Sequence, residues 1–242
     1  MNPTRSIHSS RIPTLLLPGT LCDAALWRDL SLEGGLECDL LVPNLERLVR
    51  ELLETSPARF AVLGFSLGAI VTFEILRQAP ERVLALTLVS ANPHPPTEVQ
   101  LDAWREQERL AQSGQLEQVV EGYARADSAQ VKATVLEMAR RSSVAFPAQL
   151  ELLRTRPDSR DTLKSWGRLQ RPTALVGGLD DPLTPPHLAR ELQTLIPHAT
   201  LDLLRGGHYV PLEWGKALTH IVRLTHSAAS DPSGALQGTH YA

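Results

Sequence analysis

Phe60-Ala61-Val62-Leu63-Gly64-Phe65-Ser66-Leu67-Gly68 is an apolar run that ends in a glycine, a serine and a second glycine. Directly after it, residues 67–78 carry Ile70 and Phe73 three apart and Val71 and Ile75 four apart, until Pro80 stops the pattern. This spacing predicts a strand, a tight turn at Ser66 and a helix. The strand is apolar without alternation, so it needs cover on both faces, as in a parallel sheet.

The same grammar extends to either side. Short apolar runs closed by turn formers occupy residues 12–17, 39–42, 83–89, 173–176 and 199–204. Helical patterns lie at 187–195, after Pro185-Pro186, and at 212–224, with Leu218, Ile221 and Val222 in register. Strand and helix alternate, which predicts a three-layer α/β domain. Residues 95–170 break the alternation. They hold no strand-like run, but Leu116, Val119, Val120 and Tyr123 form an apolar stripe, as do Val131, Val135 and Met138, and Phe146, Leu150 and Leu153. The expected organisation is therefore a core of residues 12–94 and 171–225, a helical insertion at 95–170, and a tail at 226–242. The tail is rich in Ser, Gly, Ala and Thr, lacks periodicity, contains His240 and is expected to be disordered.

Composition narrows the function classes. A chain of 242 residues fits one domain with a sizeable insertion. Lys and Arg number 24 against 27 Asp and Glu, a net charge of −3, which argues against a nucleic-acid partner. Two cysteines, Cys22 and Cys38, cannot build a disulfide framework, and no His/Cys spacing suits a structural metal. No run is long and apolar enough for a membrane helix, and residues 1–11 lack the apolar core of a signal peptide, so a cytoplasmic location is expected. Nothing in the sequence sets an oligomeric state.

Gly64-Phe65-Ser66-Leu67-Gly68 matches Gly-x-Ser-x-Gly in the strand–turn–helix context that gives the pattern its meaning. The turn pushes the serine into an exposed, strained position, and the flanking glycines avoid clashes with the neighbouring strand and helix. Ser66 is the expected nucleophile. A serine hydroxyl needs a base and a group that orients the base. Of the eight histidines, His208 in Arg205-Gly206-Gly207-His208-Tyr209 follows the last strand on a glycine loop, with His94 as its competitor. The orienting acid is expected in Gly177-Gly178-Leu179-Asp180-Asp181-Pro182-Leu183-Thr184-Pro185. Its spacing from Gly178 and to Pro185 favours Asp181, leaving Asp180 as a turn or capping residue. The backbone N–H groups of Thr20, after the first strand, and Leu67, at the helix start, are the expected oxyanion donors. Asp23 reads as a helix cap and Cys22 as a small buried residue beside the pocket. Arg154, Arg156, Arg160 and Asp161 either line an entrance or, more simply, form a surface ion-pair network.

Taken together, the elbow around Ser66, the Gly-x-x-Asp-x-x-x-Pro loop, Gly207-His208 before Glu213, and residues 15–27 resemble the α/β-hydrolase family. The similarity covers roughly residues 12–225, and the order Ser66, Asp181, His208 is that of the family. Pro18 stands where many members have histidine, and the family's first two strands are expected to be absent. The resemblance implies a three-layer α/β-hydrolase fold, a mostly parallel sheet of about six strands, and an inserted helical cap. Members that use an aspartate nucleophile are set aside by Ser66. What remains is a serine hydrolase that cleaves a small-molecule ester, thioester or lactone through an acyl-enzyme, with no metal or organic cofactor. An acyltransferase or perhydrolase with the same triad is the alternative, as is a non-enzymatic small-molecule receptor.

Overall fold

Where the chain passes from apolar run to turn former, the computed structural model, which describes residues 12–230, places a strand end. The strands are β1 (Thr14–Leu17), β2 (Gly35–Glu37), β3 (Phe60–Phe65), β4 (Val83–Val89), β5 (Thr173–Gly178) and β6 (Thr200–Leu204), all paired in parallel in the order β2-β1-β3-β4-β5-β6. Leu17 pairs with Gly64, Phe65 with Val89, Val89 with Val176, and Gly178 with Leu204. These registers bring the loops after β1, β3, β4, β5 and β6 to one edge. The order reverses between β1 and β3, so their outgoing loops diverge and leave a crevice, the usual ligand position in such sheets.

One strand is not where the sequence placed it. Residues 39–42 form no strand; β2 lies a few residues earlier, at Gly35–Glu37. It is a three-residue edge strand with mostly exposed side chains, so backbone pairing to β1 defines it and apolar content does not. Leu40 is buried from the loop that follows, which explains the misleading run.

The helices are α1 (Leu45–Thr55), α2 (Leu67–Gln78), α3 (Glu98–Gln112), α4 (Leu116–Tyr123), α5 (Ala129–Ser142), α6 (Phe146–Thr155), α7 (Arg160–Arg168), α8 (Pro186–Leu195), α9 (Val210–Glu213) and α10 (Gly215–Ser230). Helix α2 is buried along residues 67–76, between the sheet, α1, α6 and α7. Most of these residues are apolar, as such a position requires, and the buried Glu74 is paired with Arg77 at 2.8 Å. Helix α10 packs on β4 and β5. It runs to Ser230, past the boundary expected at 225, because Leu218, Val222 and Thr225 keep one face buried. The rest of the expected tail, with His240, lies outside the described residues.

Between β4 and β5 the chain is helical throughout. Helix α7 nevertheless touches α2 and α8, and its Trp166 Nε1 donates to Thr173 Oγ1 at 2.9 Å, at the start of β5. It therefore packs in the helical layer beside the sheet, although it lies within the 95–170 stretch expected to be inserted. Among the described residues no helix is long and apolar enough to cross a membrane.

Candidate active site

The serine turn follows from steric exclusion. Ser66 adopts φ 53° and ψ −110°, in the region L-residues avoid. Its N–H donates to the Val89 carbonyl at 3.0 Å, and its own carbonyl accepts from Ala69 N–H at 3.0 Å, which fixes the turn between sheet and helix. A Cβ on Gly68 would enter the Leu17 carbonyl, and one on Gly64 would lie 2.8 Å from the Gly68 oxygen. Both glycines are therefore required by close approach of backbone to backbone.

His208 reaches this serine from the loop after β6. Its Nε2 lies 3.0 Å from Ser66 Oγ, and its Nδ1 lies 2.7 Å from Asp181 Oδ2. His208 and Asp181 are each 2% exposed. Asp181 also accepts from Leu183 N–H (2.8 Å), Thr184 N–H (3.0 Å) and the Thr184 hydroxyl (2.6 Å). Burial alone would raise the Asp181 carboxyl; the facing His208 and these donors outweigh it and hold the carboxyl well below the usual carboxylate range. An ionised Asp181 keeps the proton on Nδ1 and leaves Nε2 free to accept one from Ser66. Asp180 behaves differently. It is exposed and donates its N–H to the Gly206 carbonyl at 2.9 Å. His94, the competing histidine, pairs with Glu191 at 2.8 Å.

The loop after β1 closes on the serine: a Cβ on Gly19 would lie 3.4 Å from Ser66 Cβ. Within this loop the Leu21 N–H donates to Gln149 Oε1 (2.9 Å) and the Cys22 N–H to the Gly19 carbonyl (3.3 Å). Leu67 opens α2, where an N–H has no intrahelical acceptor. Asp23 caps the turn Ala24–Trp27 by accepting from Ala25 N–H at 2.9 Å, and Cys22 is buried with its thiol pushed up by desolvation. Arg154 pairs with Glu108, and Arg160 and Asp161 pair on the surface with Asp158 and Lys164. Arg156 departs from the surface reading. It is buried over the Trp104 ring and donates to the His94 carbonyl and Gln100.

Two side chains at the site were not read from the sequence, and both come from the insertion. Gln149 on α6 holds the loop after β1. Asp127, in the turn between α4 and α5, accepts from the N–H groups of His208 (3.3 Å) and Tyr209 (3.0 Å). Gln149 interrupts an apolar stripe with a buried polar group, which is a usable signal; Asp127 precedes the helix cap Ser128 and looks like ordinary turn chemistry. Among the described residues no group of three or more His, Cys, Asp or Glu side chains is placed to hold a metal.

A model of the alpha/beta hydrolase family matches residues 15–218. The chain is 25% identical over 194 residues to a pimeloyl-[acyl-carrier protein] methyl ester esterase of Aliivibrio salmonicida, covering 73% of this chain and 72% of the relative. It is 27% identical over 185 residues to the protein of that name from Salmonella newport, covering 69% and 70%. Among solved structures, the enol-lactonase from Burkholderia xenovorans LB400 superposes with a TM-score of 0.75 at 18% identity, over 89% of this chain and 92% of that one. A thermophilic esterase from Thermogutta terrifontis gives 0.70 at 20% identity, over 91% of each chain. At these identities the structural matches show a shared fold.

Proposed function

This chain belongs to the alpha/beta hydrolase family, and from that premise we propose that it is a serine hydrolase acting on a carboxylic ester, thioester or lactone through an acyl-enzyme. The observation that carries the reading is His208, buried and set between Ser66 Oγ at 3.0 Å and Asp181 Oδ2 at 2.7 Å. Nε2 takes the Ser66 proton as Oγ attacks the carbonyl carbon. Asp181 holds the tautomer and stabilises the imidazolium. The oxyanion is received by the N–H groups of Thr20 and Leu67. The Leu21 N–H donates to Gln149 on α6 and the Cys22 N–H to the Gly19 carbonyl, which leaves Thr20 as the loop's donor. Two such donors are worth several kcal/mol each, roughly 3 by removal of one in other enzymes. His208 then protonates the leaving group, and water, deprotonated by the same nitrogen, releases the acid.

Ester cleavage is supported by the names of the sequence relatives. A cleft of about 330 Å³ bordered by Pro18, Cys22, Trp27, Leu40 and Gln149 lies beside the loop carrying Thr20. Its walls mix Trp27 and Leu40 with Asp23, Glu37, Asp39 and Arg141, and neither Ser66 nor His208 borders it. Helices α3–α6 act as a cap, with Gln149 of α6 and Asp127 before α5 reaching the site. The test is hydrolysis of p-nitrophenyl esters of graded chain length by the full chain and by Ser66→Ala. Turnover of an ester by the full chain, lost in Ser66→Ala, is expected. Turnover that survives in Ser66→Ala would overturn the reading, and labelled acyl product retained on an added alcohol would replace hydrolysis with acyl transfer.

A further inference from the structure

Helix α9 begins directly after His208 and Tyr209, but the loop leading into them is Arg205-Gly206-Gly207, with Gly206 at φ +123°. Two glycines give this segment little stiffness of its own. Its geometry must be imposed from outside. The Asp181 contact fixes the imidazole, and the Ser90 hydroxyl donates to the His208 carbonyl at 3.1 Å. The N–H side is held by Asp127. One carboxylate oxygen accepts from His208 N–H and the other from Tyr209 N–H. Asp127 is 7% exposed and sits flat against the glycine pair: a Cβ on Gly207 would lie 2.6 Å from its Cγ. Gly207 thus lacks a side chain because the carboxylate occupies that space.

The arrangement is electrostatically expensive. Burial raises the Asp127 carboxyl, the Tyr209 N–H and the charge and N–H of His208 lower it, and Asp181 raises it again. Glu213 adds a further carboxylate, one of whose oxygens is buried without a hydrogen-bond partner. A leucine here would leave both N–H groups unpaired, and an asparagine offers one acceptor oxygen for the two. What an aspartate adds is two aligned acceptors and a negative charge next to the imidazole.

We propose that Asp127 is a positioning residue, through which the inserted helices hold His208 Nε2 on Ser66 and favour the imidazolium formed when that proton moves. The proposal rests on the reading of His208 as the base. The titratable and hydroxyl groups facing His208 are Ser66, Asp181, Tyr209 and Asp127, with Glu213 against Asp127 and Asp180 acting on Glu213; the Phe65 ring lies 5.1 Å from the imidazole.

The test uses the full chain, with Asp127→Asn and Asp127→Ala compared by labelling with a fluorophosphonate and by kcat and KM for a short p-nitrophenyl ester across pH. A displaced base costs roughly 10²-fold in rate. The expected result is a fall in labelling rate and in kcat of that order, KM within a few-fold, and an acidic limb of kcat/KM moved to lower pH as the negative charge is removed. Wild-type labelling rate and pH profile in Asp127→Asn would overturn the proposal. Absence of labelling in the wild type would instead sink the serine-hydrolase reading beneath it. Should both Asp127 variants unfold, Gly207→Ala supplies the second test, since its methyl displaces the carboxylate. It is expected to reproduce the slower labelling and shifted limb in a protein that melts cooperatively; wild-type behaviour there contradicts the proposal.

Discussion

At the amino ends of the strands, Arg59, Arg171, His198 and Thr200 border a cleft of about 1130 Å³, against about 330 Å³ for the cleft beside Thr20 at the carboxyl ends. The larger cleft lies at the edge opposite Ser66 and His208. The polar groups there mostly serve the backbone. Arg82 donates to the carbonyls of Leu53, Ser56, Pro57 and Ala58, and Arg171 to those of Pro80 and Val83 while its guanidinium lies over Trp166. At the carboxyl edge, strain and buried charge accumulate. Of the four non-glycine residues with positive φ among the described residues, Leu21, Ser66 and Ser90 follow β1, β3 and β4, and only Gln170 precedes a strand. The carboxyls of Asp127 and Glu213 are both raised by burial around His208. Local cost that the fold tolerates is the better marker of a working edge than the size of a hole.

The sharpest way to break this contrast is within one loop. Asp181→Asn removes the charge that fixes the His208 tautomer and is expected to lower kcat by about 10⁴. Asp180→Asn, one residue away and exposed, is expected to change it less than about threefold, as surface substitutions do. Steady-state kinetics on the two variants decides it, and the reverse order would move the acid by one residue.

Next in size is the loop after β1. Gln149→Leu frees the Leu21 N–H and lets Thr20 wander. A fall of about tenfold in kcat is expected, smaller than the roughly 10²–10³ for deleting an oxyanion donor outright. KM is expected to hold. A thionoester, whose sulfur depends less on these N–H groups, should lose less than the matching ester; equal losses would remove Gln149 from this role.

Glu213 gives a stability effect with a defined sign. Burial first, then Asp127, raises its folded carboxyl above the unfolded one, while the Ser128 and Gly207 N–H groups oppose this. The folded state therefore holds that proton more tightly. Stability from this group is full below the ordinary Glu range and is lost as pH rises through the raised folded value. Glu213→Gln should melt above the wild type at neutral pH and lose that advantage as the pH is lowered to about 4. A gap that is constant with pH would contradict the assignment.

At the amino edge Arg171→Ala should leave kcat/KM unchanged. It strips two carbonyls of a charged donor, about 1–3 kcal/mol, and at this chain length each kcal/mol is worth roughly 2–4 °C in Tm. A loss of turnover would show that the larger cleft takes part in the chemistry.

Much of this contrast is legible in the sequence because it is written in backbone constraints. Gly64, Gly68 and Gly178 are small for a reason that a strand-and-turn reading finds: another backbone passes within contact of each. Ser66 and Asp181 follow fully buried apolar strands, His208 follows the half-buried β6, and His208 bonds to both of the others. Edge strand β2 is not legible, since three half-exposed residues carry no hydrophobic signature. Helix α7 looks like part of the insertion because its amphipathic pattern is the same whether it covers a site or a sheet. Asp127 is hidden for another reason. Its partners, His208 and Tyr209, are 81 and 82 positions away, and no local pattern records an acceptor for a distant N–H.

In the proposed mechanism one serine, Ser66, forms the acyl bond. Intact-mass measurement after reaction with a fluorophosphonate, followed by peptide mapping, tests it directly. One adduct is expected, on Ser66, formed at the rate at which ester hydrolysis disappears and absent from Ser66→Ala. An adduct on another residue, or full hydrolysis by protein whose Ser66 is already blocked, would contradict it.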